Sequence, residues 1–499
     1  MNYKILFKKE YLPLYLIILV GAFLRLQGVL TNSFAYTFDV GRDMLSLWDI
    51  VYAQNITLIG PTTGLPGVFY GPWWYYLLIP PFILFSGNPA GIAFTMSVVG
   101  IVSIVVAFIL GNKIGGKFLG LSFALLISSS PVMVFMSTQI WNPNIIPFFI
   151  LLLLLVLYKI FEQDKKSKLK YYFFLGLLLS FTIDLEIVFG LLLTIGIVLS
   201  VLVIVNKKIR LKEILFFILG ALLISSPRII FELRHEFLMT KSFITFLIKG
   251  GSSGSLGLVD VFLKRANLLF DYFNSTLFIE NKNIGLLALF FIIFVILFLY
   301  KKSDKINRNF ILTSFIVVTV FLLGTTFFSY DIWPHYLAGL PVFYILIFTI
   351  CLNLFKNKLK NIFLPATIVL FIFFLNFNPI SFITSINKPI FEGDAAVYRN
   401  QLAVIDYVYS QANGKDFKYV VYTPPVHDYT YRYLFKWYGP KKYHYLPSVK
   451  SNTAYFILEP DFQYPSRLTD WLKSREKDGV IIKEDKLRGG IIVQTRKVN

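Results

Sequence analysis

Long apolar blocks broken by short polar segments fill residues 1–378. The first covers about 11–30. Others cover roughly 70–86, 92–111, 118–136, 141–160, 171–205, 212–231, 283–300, 309–328, 336–355 and 361–378. A helix needs about 20 apolar residues to cross the hydrocarbon core. Most of these blocks meet that length, and 171–205 is long enough for two short helices. The weakest is 70–86, which is short and carries Pro72, Pro80 and Pro81. It is expected to be a re-entrant or juxtamembrane piece buried against protein. The pattern therefore predicts a polytopic α-helical membrane protein with about eleven transmembrane helices.

After 379 the pattern changes. It predicts helix 399–412, strand 417–422, helix 427–438, strand 453–458, helix 467–477 and strands 479–484 and 489–495. These make a small α/β domain over 379–499, behind a membrane domain over 1–378 that includes an outer loop at 31–69. That loop holds the turn-rich run GPTTGLPG at 60–67. The run GGSSGSLG at 250–257 reads as a flexible connector.

Charge then sets the orientation. Lys4, Lys8 and Lys9 precede the first block, and basic loops occupy 159–170, 206–212, 301–308 and 355–360. Positive loops stay in the cytoplasm, so the N-terminus is expected inside and the C-terminal domain outside. Every chemically distinctive segment then falls on the outer face. The composition agrees: 56% of residues are hydrophobic and 15% charged, where a soluble domain has about a quarter charged. The net charge of +20 sits mainly in those short loops, so it marks topology, not nucleic-acid binding. A single cysteine, Cys351, excludes an intramolecular disulfide and a Cys-based zinc cage, and reads as a packed thiol.

Polar groups at the outer turns are the candidates for chemistry. Asp39, Arg42 and Asp43 in FDVGRD share one face if helical. Asp39 can act as a general base or hold a metal ion, or the three can form a local salt-bridge network. Asp184 and Glu186 interrupt the apolar stretch 171–205. At the bilayer centre each would cost roughly 2.5–3.5 kcal/mol. They must mark an outer turn or line a polar cavity. Arg228, Arg234 and His235 end the block at 212–231, where they suit a lipid phosphate or snorkel to headgroups. His335 and Tyr336 open a helix, a place suited to an anionic phosphate. Tyr70, Trp73, Asn142 and Asn144 offer aromatic faces and amides for a sugar, or belong to an interfacial aromatic belt. No HExxH, GxSxG, Walker A or CxxC pattern is present. A membrane-borne substrate fits an outward-facing site better than a nucleotide does.

The order of FDVGRD (38–43), LIGPTTGLPGVFYGPWWYYLL (58–78), SSPVMVFMSTQIWNPN (129–144) and PHYLAGLP (334–341) resembles the family 39-like glycosyltransferases of the GT-C superfamily. These are relatives of protein O-mannosyltransferases and of the aminoarabinose transferase of lipid A. The resemblance covers about 1–378 and implies transfer of a sugar from a polyprenyl-phosphate donor to an acceptor outside the membrane. It places Asp39 at the family's key carboxylate and His335 and Tyr336 near the donor phosphate. Arg42, Arg234 and His335 would supply positive charge there. WNPN departs from the family in having Asn142 and Asn144 where a second acid often stands, which weakens the case for a two-carboxylate metal site; a divalent metal remains an open expectation. The alternative reading is a transporter or flippase of a lipid-linked sugar. That would show paired repeats with matching discontinuous helices, and no such symmetry is visible in the sequence.

Overall fold

A computed structural model describes residues 11–162, 168–205, 209–248, 257–278, 281–328, 330–377, 394–424 and 426–498. Lys4, Lys8 and Lys9, nearly all of the 250–257 connector and the expected domain boundary at 379 lie outside those residues.

The apolar blocks become helices. α1 is Leu12–Leu30 and the outer loop contains α2, Phe38–Tyr52. α3 (Trp73–Leu84) has 12 residues. At 1.5 Å per residue it spans only about 18 Å, too short to cross. Then come α4 (Pro89–Gly115), α5 (Lys117–Ser129), α6 (Pro131–Thr138) and α7 (Ile146–Phe161). The 171–205 block is indeed two helices, α8 (Leu169–Leu185) and α9 (Ile187–Val205). α10 (Leu211–Arg234), α11 (Leu238–Ile248), α12 (Leu258–Leu277), α13 (Lys282–Leu299), α14 (Lys305–Thr326), α15 (Leu340–Leu359) and α16 (Phe363–Asn376) complete the bundle. The protein is a multi-pass membrane protein. Among the described residues eight helices are long and apolar enough to cross, or nine if the bent pair α5–α6 counts as one span. The expected eleven included α8, with 17 residues, and α16, with 14. Both lie outside that count because each has fewer than 18 residues.

α15 lies at the centre, buried along nearly its whole length, with Cys351 fully buried on it. α10 and α13 instead expose Leu, Ile and Phe outward, as lipid-facing helices do. α5 and α6 meet at a 58° bend. Pro131 causes it, having no N–H for the helix ladder. The carbonyls freed there are taken by Arg25 of α1: Nη1 donates to Ser128 O at 2.8 Å and Nη2 to Ile127 O at 2.9 Å. Arg25 is 1% exposed. A charge at a helix C-terminus is favoured by the local dipole, which gives this buried arginine a reason to be there.

The C-terminal region holds α17 (Tyr398–Ala412), β1 (Lys418–Tyr422), α18 (Tyr429–Tyr443), β2 (Thr453–Leu458), α19 (Pro465–Ser474), β3 (Val480–Lys486) and β4 (Ile492–Lys497). The sheet order is β1-β2-β4-β3, with β1 and β2 parallel and the other pairs antiparallel. α18 supplies the crossover that parallel strands need. This region is tied to the outer loop. Tyr36 N donates to Ala396 O at 2.7 Å and Tyr398 N to Phe34 O at 3.1 Å. Trp437 Nε1 on α18 donates to Ser86 O at 2.7 Å. α18 also packs along α2, which brings the C-terminal region to the residues considered next.

Candidate functional site

Asp39 lies in the first turn of α2, where the helix dipole favours an acid. Arg42, one turn on, places Nη1 2.7 Å from Asp39 Oδ1. Its Nε and Nη2 donate to Asp43 Oδ1 at 3.0 and 2.9 Å. Asp43 also accepts from Trp74 Nε1 at 2.8 Å and from Tyr75 Oη at 3.4 Å. Its side chain is 2% exposed, so Asp43 anchors α3 to α2 and is closed to a sugar. Asp39 is 24% exposed. Burial raises both carboxyls above their ordinary value, with Arg42 pulling the other way in each.

The segment 60–71 folds back on itself, Gly60 N donating to Tyr70 O at 2.8 Å and Tyr70 N to Pro61 O at 2.9 Å. It lies over the turn between α8 and α9. Gly71 N donates to Asp184 O at 2.9 Å. A Cβ on Gly71 would fall 1.6 Å from Asp184 Oδ2, so only glycine fits. Asp184 pairs with Arg228 of α10, Nε to Oδ1 at 2.7 Å. Glu186 Oε2 accepts from Tyr70 Oη at 2.8 Å and Oε1 from Val188 N at 3.3 Å. Asp184 and Glu186 are each 1% exposed. They occupy a helix–helix turn as one expectation had it, but the 60–71 segment roofs the turn and buries them. Trp73 Nε1 donates to Ile224 O at 2.8 Å, just before Pro227 interrupts the α10 ladder.

Asn142 reaches the same turn, its Nδ2 donating to Leu185 O. Its Oδ1 is buried with no partner. Asn144 Nδ2 donates to Gln139 O at 3.3 Å. His335 lies in a 3₁₀ turn, Pro334–Leu337, edge-on to Trp141 at 4.9 Å and to Tyr336 at 4.3 Å between ring centroids. Burial pushes the His335 imidazole down to about 4. Burial thus favours the neutral ring, which can hydrogen-bond a phosphate. Burial, and then Glu186, raise the phenols of Tyr70 and Tyr336, and Asp39 acts on Tyr70 as well. Tyr70 thus links the Asp39 group to the Glu186–Tyr336 group.

Two cavities flank this cluster. One of about 460 Å³ is mostly apolar, with Arg228 and Glu232 on its wall and Leu191, Ile229 and Phe243 around them. The other, about 400 Å³, is lined by Trp141, Asn144, Tyr272, Ser275, Phe135 and His335 among others. Arg234 and His235 stand apart, exposed at the end of α10, the His235 ring stacked on Phe231 at 4.1 Å. Among the described residues no three His, Cys, Asp or Glu side chains gather as a metal site would need. Asp39 and Asp43 are each paired with Arg42.

Of the three basic residues that the sequence offered at the end of this helix, the half-buried Arg228 pairs with Asp184, and Arg234 and His235 are exposed. The signal was present in Pro227-Arg228, deepest in the helix. Sequence reasoning missed His427, whose position beside α2 depends entirely on how the C-terminal region docks.

The full-length architecture matches ArnT from Cupriavidus metallidurans. The undecaprenyl phosphate complex aligns with a TM-score of 0.60 at 12% identity, over 97% of each chain. The chain has the fold of ArnT. The apo state of that protein aligns at 0.61 and 10% identity, again over 97% of each chain. The expected likeness to the aminoarabinose transferase of lipid A is met at the level of the fold. The archaeal oligosaccharyltransferase AglB from Archaeoglobus fulgidus, in complex with an inhibitory peptide and a dolichol-phosphate, aligns at 0.44 and 11% identity, over 98% of this chain and 74% of that one. No protein-family model matches the chain, and no curated protein matches it.

Proposed function

We propose that this protein is an integral membrane glycosyltransferase that moves a sugar from a polyprenyl-phosphate donor to an extracytoplasmic acceptor. One observation carries the reading. Of the four acids in the cluster, only Asp39 has an open face, at 24% exposure. Asp43 is held by Arg42, Trp74 and Tyr75, Asp184 by Arg228, and Glu186 by Tyr70. The one carboxylate able to meet an acceptor is thus the one that the sequence resemblance marks. The fold it stands in is that of a protein solved with undecaprenyl phosphate.

Asp39 takes the proton from the acceptor hydroxyl or amine as that atom attacks the anomeric carbon. The bond from the sugar to the phosphate oxygen breaks, and polyprenyl phosphate leaves with the electron pair. In-line attack inverts the anomeric centre. A base works best when its pKa approaches the working pH; burial moves Asp39 in that direction, and Arg42 pulls the other way. Arg228, on the wall of an apolar groove, is placed to take the donor's phosphate with its chain along the groove. Arg234 and His235 stand exposed at the end of the same helix. His335 and Tyr336 hydrogen-bond as neutral groups. Asn144, on the wall of the second cavity, offers its amide to sugar or acceptor hydroxyls, while Asn142 is buried and ties its turn to Leu185. The Lys-rich loops put the N-terminus in the cytoplasm and the C-terminal α/β domain outside.

The test is turnover in lipid nanodiscs with a panel of polyprenyl-phosphate sugars, scored as release of polyprenyl phosphate. Asp39→Asn should lower kcat by about 10²–10⁴-fold while the protein stays folded. Undiminished turnover by the folded variant removes Asp39 from this role.

A further inference from the structure

A further cavity lies at the other end of the bundle from the Asn142 and Asp184 turns. α7 leaves the Asn142 turn and ends at Phe161, and α8 returns from Leu169 to the Asp184 turn. At 1.5 Å per residue, the 16 residues of α7 put about 24 Å between its ends. The C-termini of α4 and α7 and the N-terminus of α8 enclose a cavity of about 250 Å³. Its lining is sorted by depth. Lys113, Tyr158, Lys159 and Tyr171 stand in the terminal turns of these helices and form the rim. Leu155, Val156 and Phe174 form the wall, about one turn further into the bilayer. Phe174 is 46% exposed, on the apolar surface that lipid covers.

Charge is concentrated at the rim. The Lys113 and Lys159 ammonium groups lie 5.7 and 5.6 Å from the centre of the Tyr158 ring. Lys159 Nζ is paired with Glu162 Oε2 at 2.6 Å. Lys168 Nζ donates to Ile160 O at 2.6 Å and to the Glu162 carbonyl. Lys170 Nζ lies 5.1 Å from the Tyr171 ring centre. Among the described residues of these three helix ends, four cations meet one acid. A positive rim above an apolar slot is complementary to an anionic amphiphile. The basic loops put this end on the cytoplasmic side.

We propose that this cavity binds an anionic glycerophospholipid of the cytoplasmic leaflet. The phosphodiester sits between Lys113 and Lys159, and an acyl chain runs along Leu155, Val156 and Phe174. A zwitterionic lipid brings no net charge to offset the rim, and a soluble phosphate leaves the apolar wall uncovered. The site is separate from the transfer chemistry and does not depend on the role of Asp39.

The probe is phosphatidylglycerol with a photoreactive diazirine on its acyl chain, added to the full chain in phosphatidylcholine nanodiscs. After irradiation, mass spectrometry should place adducts on 155–161 and 169–174, and unlabelled phosphatidylglycerol should compete for them. The same diazirine on phosphatidylcholine should not favour these segments, and glycerol 3-phosphate should not compete. Lys113→Gln, at an exposed position, should lower the apparent affinity about fivefold, the worth of one lysine at an anionic surface. Lys301→Gln, in another basic loop, should leave it within twofold. Adducts missing from these segments or spread evenly over the lipid-facing helices overturn the site. Equal labelling by the phosphatidylcholine probe, or unchanged affinity in folded Lys113→Gln, overturns its selectivity for an anionic lipid. Competition by glycerol 3-phosphate overturns the lipid as occupant in favour of a soluble phosphate.

Discussion

The Asp184–Arg228 pair gives the sharpest stability prediction. Arg228→Met removes the cation and keeps much of the volume. Asp184 has 0% side-chain exposure, so its carboxylate cannot rehydrate where it stands. Removing one partner of a buried pair costs about 3–5 kcal/mol. Asp184→Asn is milder. Arg228 is 15% exposed and lines an open groove, so it can turn its head outward. The loss should be about 1–3 kcal/mol, close to one hydrogen bond to a charged group. Asp184→Asn/Arg228→Met leaves no charge unpaired and should be more stable than Arg228→Met alone. The coupling in this cycle should be about 2 kcal/mol or more. Because Gly71 and Tyr70 lean on the same turn, Arg228→Met should also reduce turnover. The assay is the fraction of monodisperse protein surviving a heat series in detergent, read by size-exclusion chromatography. Additive single effects, with the double variant the worst of the set, would refute the reasoning.

Two further predictions concern the C-terminal region. Glu459 is 4% exposed, accepting from Gln401 Nε2 and Tyr431 Oη, each at 2.9 Å, and burial pushes its carboxyl up to about 7. The folded state then binds a proton that the unfolded chain releases near 4.5. The stability from this group is complete below about 4.5 and is lost between there and about 7. Glu459→Gln should flatten that part of the thermal stability profile, and an unchanged slope from pH 5 to 7 would exclude Glu459 as its source. Val449 is 90% exposed, so Val449→Cys in intact cells should react with a membrane-impermeant maleimide, and protection would reverse the proposed topology.

The helices were readable because a bilayer demands long apolar runs whatever the neighbours do. The C-terminal strands were readable because their boundaries are set by local alternation and turns: strand 453–458 was placed to the residue. The span count was less so. Pro131 divides one block, and α8 and α16 have fewer than 18 residues, details that depend on local packing. FDVGRD fixed the Asp39–Arg42–Asp43 network, since spacings of three and four place side chains on one helical face. Composition and the order of motifs also marked Tyr70, Glu186, Asn142 and His335 as candidates. What they do was decided by burial, which no local pattern encodes. Asp43 is closed off by Trp74, burial favours the neutral ring of His335, and Arg228 pairs with a buried acid. The contact of His427 with Phe38 was invisible for the same reason: it comes from docking two regions distant in the chain, and tertiary packing alone sets that distance.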